Sequence, residues 1–186
     1  MVQDGPSDED LIQAWVDRSE QEALNTIVAR HENRVYGLSF RFMGNDADAW
    51  DATQEVFIRL MRKASQFQGR SAFSTWLYRM CVNVCKDQLR KKKRLPDPTE
   101  VLPVVSEATE VGSRLDVERA LASLPQDQRA PLVLRVFEDL SYKEIAEALE
   151  LPIGTVKSRI ARARAQLARL LGEPERAGSR LRESDE

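Results

Sequence analysis

One histidine, His31, and two cysteines, Cys81 and Cys85, are the only imidazole and thiol side chains in this 186-residue sequence. Metal sites draw on several His, Cys or acidic ligands at set spacing, and no such cluster is found, so no metal is expected. His31 falls on a helical stripe beside Glu32, a place for a core or boundary residue. Cys81 and Cys85 lie four apart in an apolar stretch. On one unbroken helix their Cβ atoms are too distant and wrongly aimed for an easy disulfide, so they read as small packing residues. A glycine-rich phosphate loop and a nucleophile–base pair are also missing, which argues against an enzyme and against a cofactor. No apolar run approaches the roughly 18 residues that mark a transmembrane helix, so no membrane insertion is expected. The opening MVQDGPSDED is acidic and polar, the reverse of a secretory signal, and a reduced, cytoplasmic protein is the expectation.

What the chain does have is charge, and the charge is segregated. Charged residues make up 31% and apolar residues 42%, while aromatics are only 6%. That balance suits a helix-rich chain able to build one core or two small ones. The net charge of -2 conceals two basic stretches. From Arg70 to Arg94 there are eight basic residues and one acid, Asp87; from Ile153 to Leu171 there are five basic residues and no acid. Acids gather instead in residues 4–22 and 97–127. A local basic surface is the footprint of a polyanion partner whatever the total charge.

Hydrophobic spacing organises these stretches into helices. Leu24, Val28, His31, Val35, Leu38 and Phe42 mark one face of a long helix that Gly44-Asn45 stops. A second runs from about Asp46 to Gln66, with Ala49, Ala52, Val56, Leu60 and Ala64 inward. After a loop around residues 68–71, a third begins near Ser74 and runs into RKKKR. With the short opening helix DLIQAWVDR, these form an N-terminal bundle over residues 1–95. Pro96, Pro98 and Pro103 rule out a helix over 96–112, which reads as an extended linker able to span on the order of 40 to 50 Å. A second helical unit follows over 113–172, with Pro131 an oddity inside its second helix, and the polar tail 173–186 is expected to be disordered. The expected fold is all-α: two small helical domains joined by an extended linker.

The stretch SYKEIAEALELPIGTVKSRIARARAQL reads as a helix-turn-helix. Ile145, Ala146 and Leu149 line its first helix, Pro152 sits at the corner, and Val156, Ile160, Ala163 and Leu167 form the buried stripe of the second. Thr155, Lys157, Ser158, Arg159 and Arg162 are left on its outer N-terminal half, where a recognition helix meets bases and phosphates. An amphipathic hairpin with solvated charges would show the same periodicity. Solvated faces usually mix both signs, however, and this one has no acid, which favours nucleic acid.

At this point the sequence resembles a known family. The segment from LPQDQR to ARAQL is similar to the C-terminal domain of extracytoplasmic-function (ECF) sigma factors. DADAWDATQEVFIRL and FQGRSAFSTWLYRMCVNVCKDQLRKKKR independently resemble that family's N-terminal domain. The resemblance implies a protein that binds bacterial RNA polymerase core, through its clamp and flap, and directs it to promoter DNA carrying −35 and −10 elements. It also implies a separate anti-sigma factor as partner.

The resemblance distributes roles by position. Thr155, Lys157, Ser158, Arg159 and Arg162 would meet the −35 element, the arginines reading guanine and Thr155 and Lys157 holding phosphate. The loop Gln68–Phe73, including Arg70, Ser71 and Phe73, would form the pocket for a flipped −10 base, with core packing the alternative for Phe73 and Trp76, and Asn83 would read an exposed base edge. Arg79, Lys86 and Arg90 would hold the strand backbone. Asp48, Asp51, Gln54 and Glu55 form a polar stripe that would dock on the clamp, although Trp50 stands where an acid is more usual. Leu132, Val133, Val136 and Phe137 are expected to be mostly core, with part of that helix facing the flap. The competing reading is a stand-alone helix-turn-helix regulator with an N-terminal sensing domain, which would need neither N-terminal motif.

Overall fold

Ser7 begins the first helix. In the computed structural model, which describes residues 5–94 and 114–171, the Ser7 side chain accepts from the Asp10 amide while the Asp10 carboxylate accepts from the Ser7 amide. That reciprocal box starts α1 (Asp8–Arg18), which ends at Ser19 in the left-handed region. The long stripe forms α2 (Gln21–Met43), which buries Leu24, Ile27, His31, Val35, Leu38 and Phe42. Gly44, at φ 78°, stops it in the conformation that glycine adopts without a Cβ clash. Asn45 caps α3 (Asp46–Lys63), whose Ala49, Ala52, Val56 and Leu60 point inward. The expected helix to Gln66 tightens after Lys63 into a short 3-10 turn (Ala64–Gln66). The third long helix is α4 (Phe73–Arg94), with Leu77, Cys81, Val84 and Cys85 fully buried.

The second unit consists of α5 (Arg114–Ser123), α6 (Gln126–Phe137), α7 (Tyr142–Leu149) and α8 (Ile153–Leu170). All regular structure among the described residues is helical. Pro131 is the sixth residue of α6 and is buried there, so the helix forgoes the bond that an amide would give the Asp127 carbonyl. A second reciprocal box, between Ser141 and Glu144, opens α7. Glu150 ends it at φ 54°, and Pro152 caps the start of α8. The expectations for the linker 96–112 and the tail 173–186 lie outside the described residues.

Beyond the linker, the two units have a direct interface. Helix α2 packs on α5 and α6, α4 packs on α7, and one apolar core runs through both units. Each fully buried Leu or Ile in it, such as Leu38, Leu124, Leu134 and Ile145, contributes on the order of 1.5–3 kcal/mol. Arg129 reaches across this core. Its guanidinium donates to the Phe42 carbonyl at the end of α2, at 2.7 Å, and to the Ala122 and Leu124 carbonyls of its own unit. Nearby, the Arg41 guanidinium lies 3.7 Å from the centre of the Phe137 ring. The Tyr78 hydroxyl is buried beside Glu138 and Arg34 without a hydrogen bond of ordinary geometry.

Candidate nucleic-acid interface

The helix-turn-helix is built as its spacing requires. Val156, Ile160 and Ala163 are buried, Leu167 is half-buried, and α8 packs on α6 and α7. This fixes the opposite side of α8 outward: Lys157, Ser158 and Arg162 are exposed, while Thr155 and Arg159 are half-buried. The side chains of three of the five, Lys157, Ser158 and Arg159, have contacts within the chain. The Ser158 hydroxyl donates to the Thr155 carbonyl at 3.0 Å, the Lys157 ammonium lies 5.2 Å from the Tyr142 ring centre, and Arg159 Nε is 3.5 Å from the Asp127 carboxylate. None of these contacts buries its donor completely, and exposed pairs of this kind contribute little, about 0–1 kcal/mol. Phosphates or base edges can therefore displace them.

The second basic stretch lines one side of α4. Arg79, Asn83, Lys86 and Arg90 share a groove of about 680 Å³ with Arg59, Lys63 and Trp76. The far wall of that groove is Leu149 and Glu150 of the other unit, and Arg79 pairs with Glu150. Burial, and then the neighbouring Arg90 and Arg159, push the Lys86 ammonium below its ordinary pKa. A cation crowded by cations in this way gains from an incoming phosphate. Arg70 and Ser71 border a smaller cavity of about 330 Å³ with Thr75, Trp76 and Arg79, closed by Glu147 and Ala148.

Phe73 departs from the expected contact with DNA. It is 1% exposed and presents no face to a base. It forms an aromatic cluster with Phe67 and Trp76, at ring separations of 5.6 and 6.0 Å, beneath the loop. Asp8 bonds His31 Nε2 at 2.7 Å, and the His31 ring lies 5.5 Å from that of Phe73, so the buried histidine is part of this support.

The acidic stripe on α3 divides. Asp51 and Gln54 are exposed and border one shallow cleft with Glu55. Glu55 accepts from Arg59 at 2.7 Å, and Arg59 also reaches Asp87 at 3.1 Å. Asp48 is set apart, half-buried against Asn45 and Lys92. Burial works against its ionisation, yet bonds from Lys92 and Asn45 hold its pKa below the ordinary value. Trp50 is exposed and stacks 4.4 Å from Tyr36. On α6 the apolar residues separate: Leu132 and Val133 are buried, whereas Val136 and Phe137 are exposed.

Several residues of the site escaped sequence reasoning. Thr75 is 2% exposed, its hydroxyl has no partner, and it borders the small cavity under the loop. Its place in the first turn of a helix after a basic loop was the available signal. Lys63 lies at the end of an otherwise mixed-charge helix and joins the groove only through packing of α3 on α4. Glu147 and Glu150 reach the two cavities beside α4 from a distant part of the chain, which no local pattern reveals.

Comparison with known proteins gives the arrangement its context. Residues 27–95 match the family model for sigma-70 region 2, and residues 114–167 match that for sigma-70, region 4. The chain is 38% identical over 172 residues to the ECF RNA polymerase sigma-E factor of Haemophilus influenzae, covering 82% of this chain and 90% of that protein. It is 35% identical to the RNA polymerase sigma-H factor of Pseudomonas aeruginosa, covering 88% and 93%. Among solved structures, CnrH in complex with the cytosolic domain of CnrY aligns at a TM-score of 0.67 and 25% identity, over 90% of this chain and 98% of CnrH. With both regions matched in order and relatives aligned over nearly their whole length, the chain belongs to the ECF family of RNA polymerase sigma factors.

Proposed function

We propose that this sigma factor, which directs promoter-specific transcription initiation, reads its promoter at two points formed by residues 1–95 and 113–172. The observation that carries this reading is the presence of two separate basic faces, each fixed by a buried stripe: α8 in the second unit and the groove side of α4 in the first. Thr155, Lys157, Ser158, Arg159 and Arg162 engage the −35 element. An arginine on the outer face of such a helix is suited to paired bonds with guanine O6 and N7. Arg70, Ser71 and Asn83 surround the −10 base, with Thr75 buried beneath them, while Arg79, Lys86 and Arg90 hold the strand backbone. Phe73 acts from beneath the loop. Opening DNA requires unstacking, which a pocket for the extruded base offsets.

Asp51, Gln54 and Glu55 meet the polymerase clamp, and Asp48 shapes the start of that stripe. Val136 and Phe137, exposed on α6, are the apolar face for the flap. CnrH, a structure of the same fold, holds a separate protein; that supports a separate partner here, an anti-sigma factor. The protein acts without catalysis of its own and works in the cytoplasm; among the described residues no helix is long and apolar enough to cross a membrane. The test is run-off transcription with purified polymerase core. Promoter-dependent transcripts that vanish when either element is scrambled support the reading. A regulator acting without core would bind an operator and yield no such transcript.

A further inference from the structure

We propose that Glu9, on the first helix, is a positioning residue for the −10-reading loop, fixing the loop's end by capping the helix that follows it. The proposal rests on the reading of residues 68–73 as part of the −10 reader. The Ala72 carbonyl accepts from the Trp76 amide at 3.2 Å and Phe73 is the first helical residue, so Ala72 occupies the N-cap of α4. Alanine is a poor cap because it has no side-chain oxygen for the free amides of the first turn. That acceptor comes instead from 64 residues earlier: the Phe73 amide donates to Glu9 Oε1 at 3.1 Å. A carboxylate there also sits at the positive end of the α4 dipole.

Glu9 is itself held in place. The Ser7–Asp10 box fixes the turn that carries it. Its neighbour Asp8 accepts from Arg30 at 3.0 Å and bonds His31, whose ring lies against Phe73. Two adjacent acids of α1 thus grip the end of the loop, Glu9 through the Phe73 backbone and Asp8 through a ring that touches the Phe73 side chain. The aromatic cluster anchors the ring of Phe73 but not the direction of the preceding backbone. That direction sets where Arg70 and Ser71 stand relative to Asn83. Without the cap, the first turn of α4 loosens while the ring stays buried, so the loop loses its aim and the core keeps its fold.

Glu9→Ala and Glu9→Gln test this in the full-length chain, alongside Arg70→Ala. Amide hydrogen exchange is followed in the free protein. Opening of a promoter bearing 2-aminopurine in the −10 element is followed with the holoenzyme, on the parent element and on single-base variants. For Glu9→Ala we expect exchange about fivefold faster, confined to residues 70–75, with −10 opening slowed about fivefold. Preference among −10 variants should flatten while −35 preference is kept, and Glu9→Gln, which retains an acceptor, should preserve most of both. Unchanged exchange at Phe73 overturns the proposal, as does acceleration spread through the core amides of α2 and α4. Faster local exchange with intact −10 preference also overturns it when Arg70→Ala loses that preference. If Arg70→Ala leaves −10 opening and preference intact as well, the −10 reading itself fails and the proposal falls with it.

Discussion

The guanidinium of Arg129 donates to the backbone carbonyl of Phe42, 87 residues earlier, and so joins the second helical unit to the last turn of α2. The same side chain serves two carbonyls of its own unit, and burial disfavours its charged form. The joint between units thus combines the shared apolar core with one buried cation, two of whose guanidinium nitrogens are held by backbone oxygens. Arg129→Met should cost about 2–4 kcal/mol, because three carbonyls lose a charged donor in a dry setting. Denaturant unfolding measures the loss. An energy-transfer pair on α3 and α8 should show the units further apart in that variant under native conditions. An unchanged distance would mean the apolar contacts hold the joint alone.

Glu138, at the same joint, should make closure sensitive to pH. Burial raises its pKa above the ordinary 4.5, only partly opposed by Tyr78 and Arg34. A folded-state pKa above the unfolded value gives stability that is complete below the unfolded value and lost as pH rises through the folded one. The closed arrangement should therefore weaken as pH climbs from about 4.5 past the shifted value. Glu138→Gln should flatten that dependence, as followed by thermal unfolding across the range. A steeper profile in the variant would contradict the assignment.

Much of this architecture was legible locally, and the joint was not. The stripes of α2, α3 and α8 follow from three- and four-residue spacing, and Gly44 and Asn45 mark a boundary by their own chemistry. Arg129 looks like any polar residue near a helix start, since its meaning lies in a carbonyl 87 residues away. Glu9 and Glu150 are equally silent, for the same reason of distance. Phe73 shows the limit from the other side: an aromatic at the end of a loop expected to read a base can be taken for a pocket wall until its packing on Phe67, Trp76 and His31 is seen. Pro131 had no expected place in a helix interior, and α6 accepts it where surrounding core contacts outweigh one lost bond.

Glu150 stands over the groove along α4, proposed above to hold the −10 strand, and has a backbone cost as well. It is a non-glycine residue at φ 54°, and its carboxylate pairs with Arg79. Glu150→Gly should leave stability unchanged or raise it by up to about 1 kcal/mol, since glycine suits that conformation. It should also strengthen binding of a single-stranded −10 oligonucleotide to the free factor by removing an acid from the groove. Fluorescence anisotropy measures this, and weaker binding would show that Glu150 does not compete with DNA.

On the face proposed to read the −35 element, Asp127 pairs with Arg159 across 3.5 Å and should compete with DNA for it. Asp127→Asn should change stability by less than about 1 kcal/mol, as expected for an exposed pair. The variant should bind a −35 duplex more tightly, most clearly at low salt where charge acts furthest. A titration at two salt concentrations reads both effects. Equal affinity in parent and variant would mean the pair already opens freely.

Two-point reading is tested most directly by in vitro transcription from a pooled promoter library with every −35 and −10 base varied, comparing the parent with Arg162→Ala and Asn83→Ala. Arg162→Ala should relax preference at one −35 position, at a cost of about 1–3 kcal/mol, and leave −10 preference intact. Asn83→Ala should do the reverse, relaxing the −10 element alone. Uniform loss across all sequences for both variants, or a −10 effect from Arg162→Ala, would contradict the account.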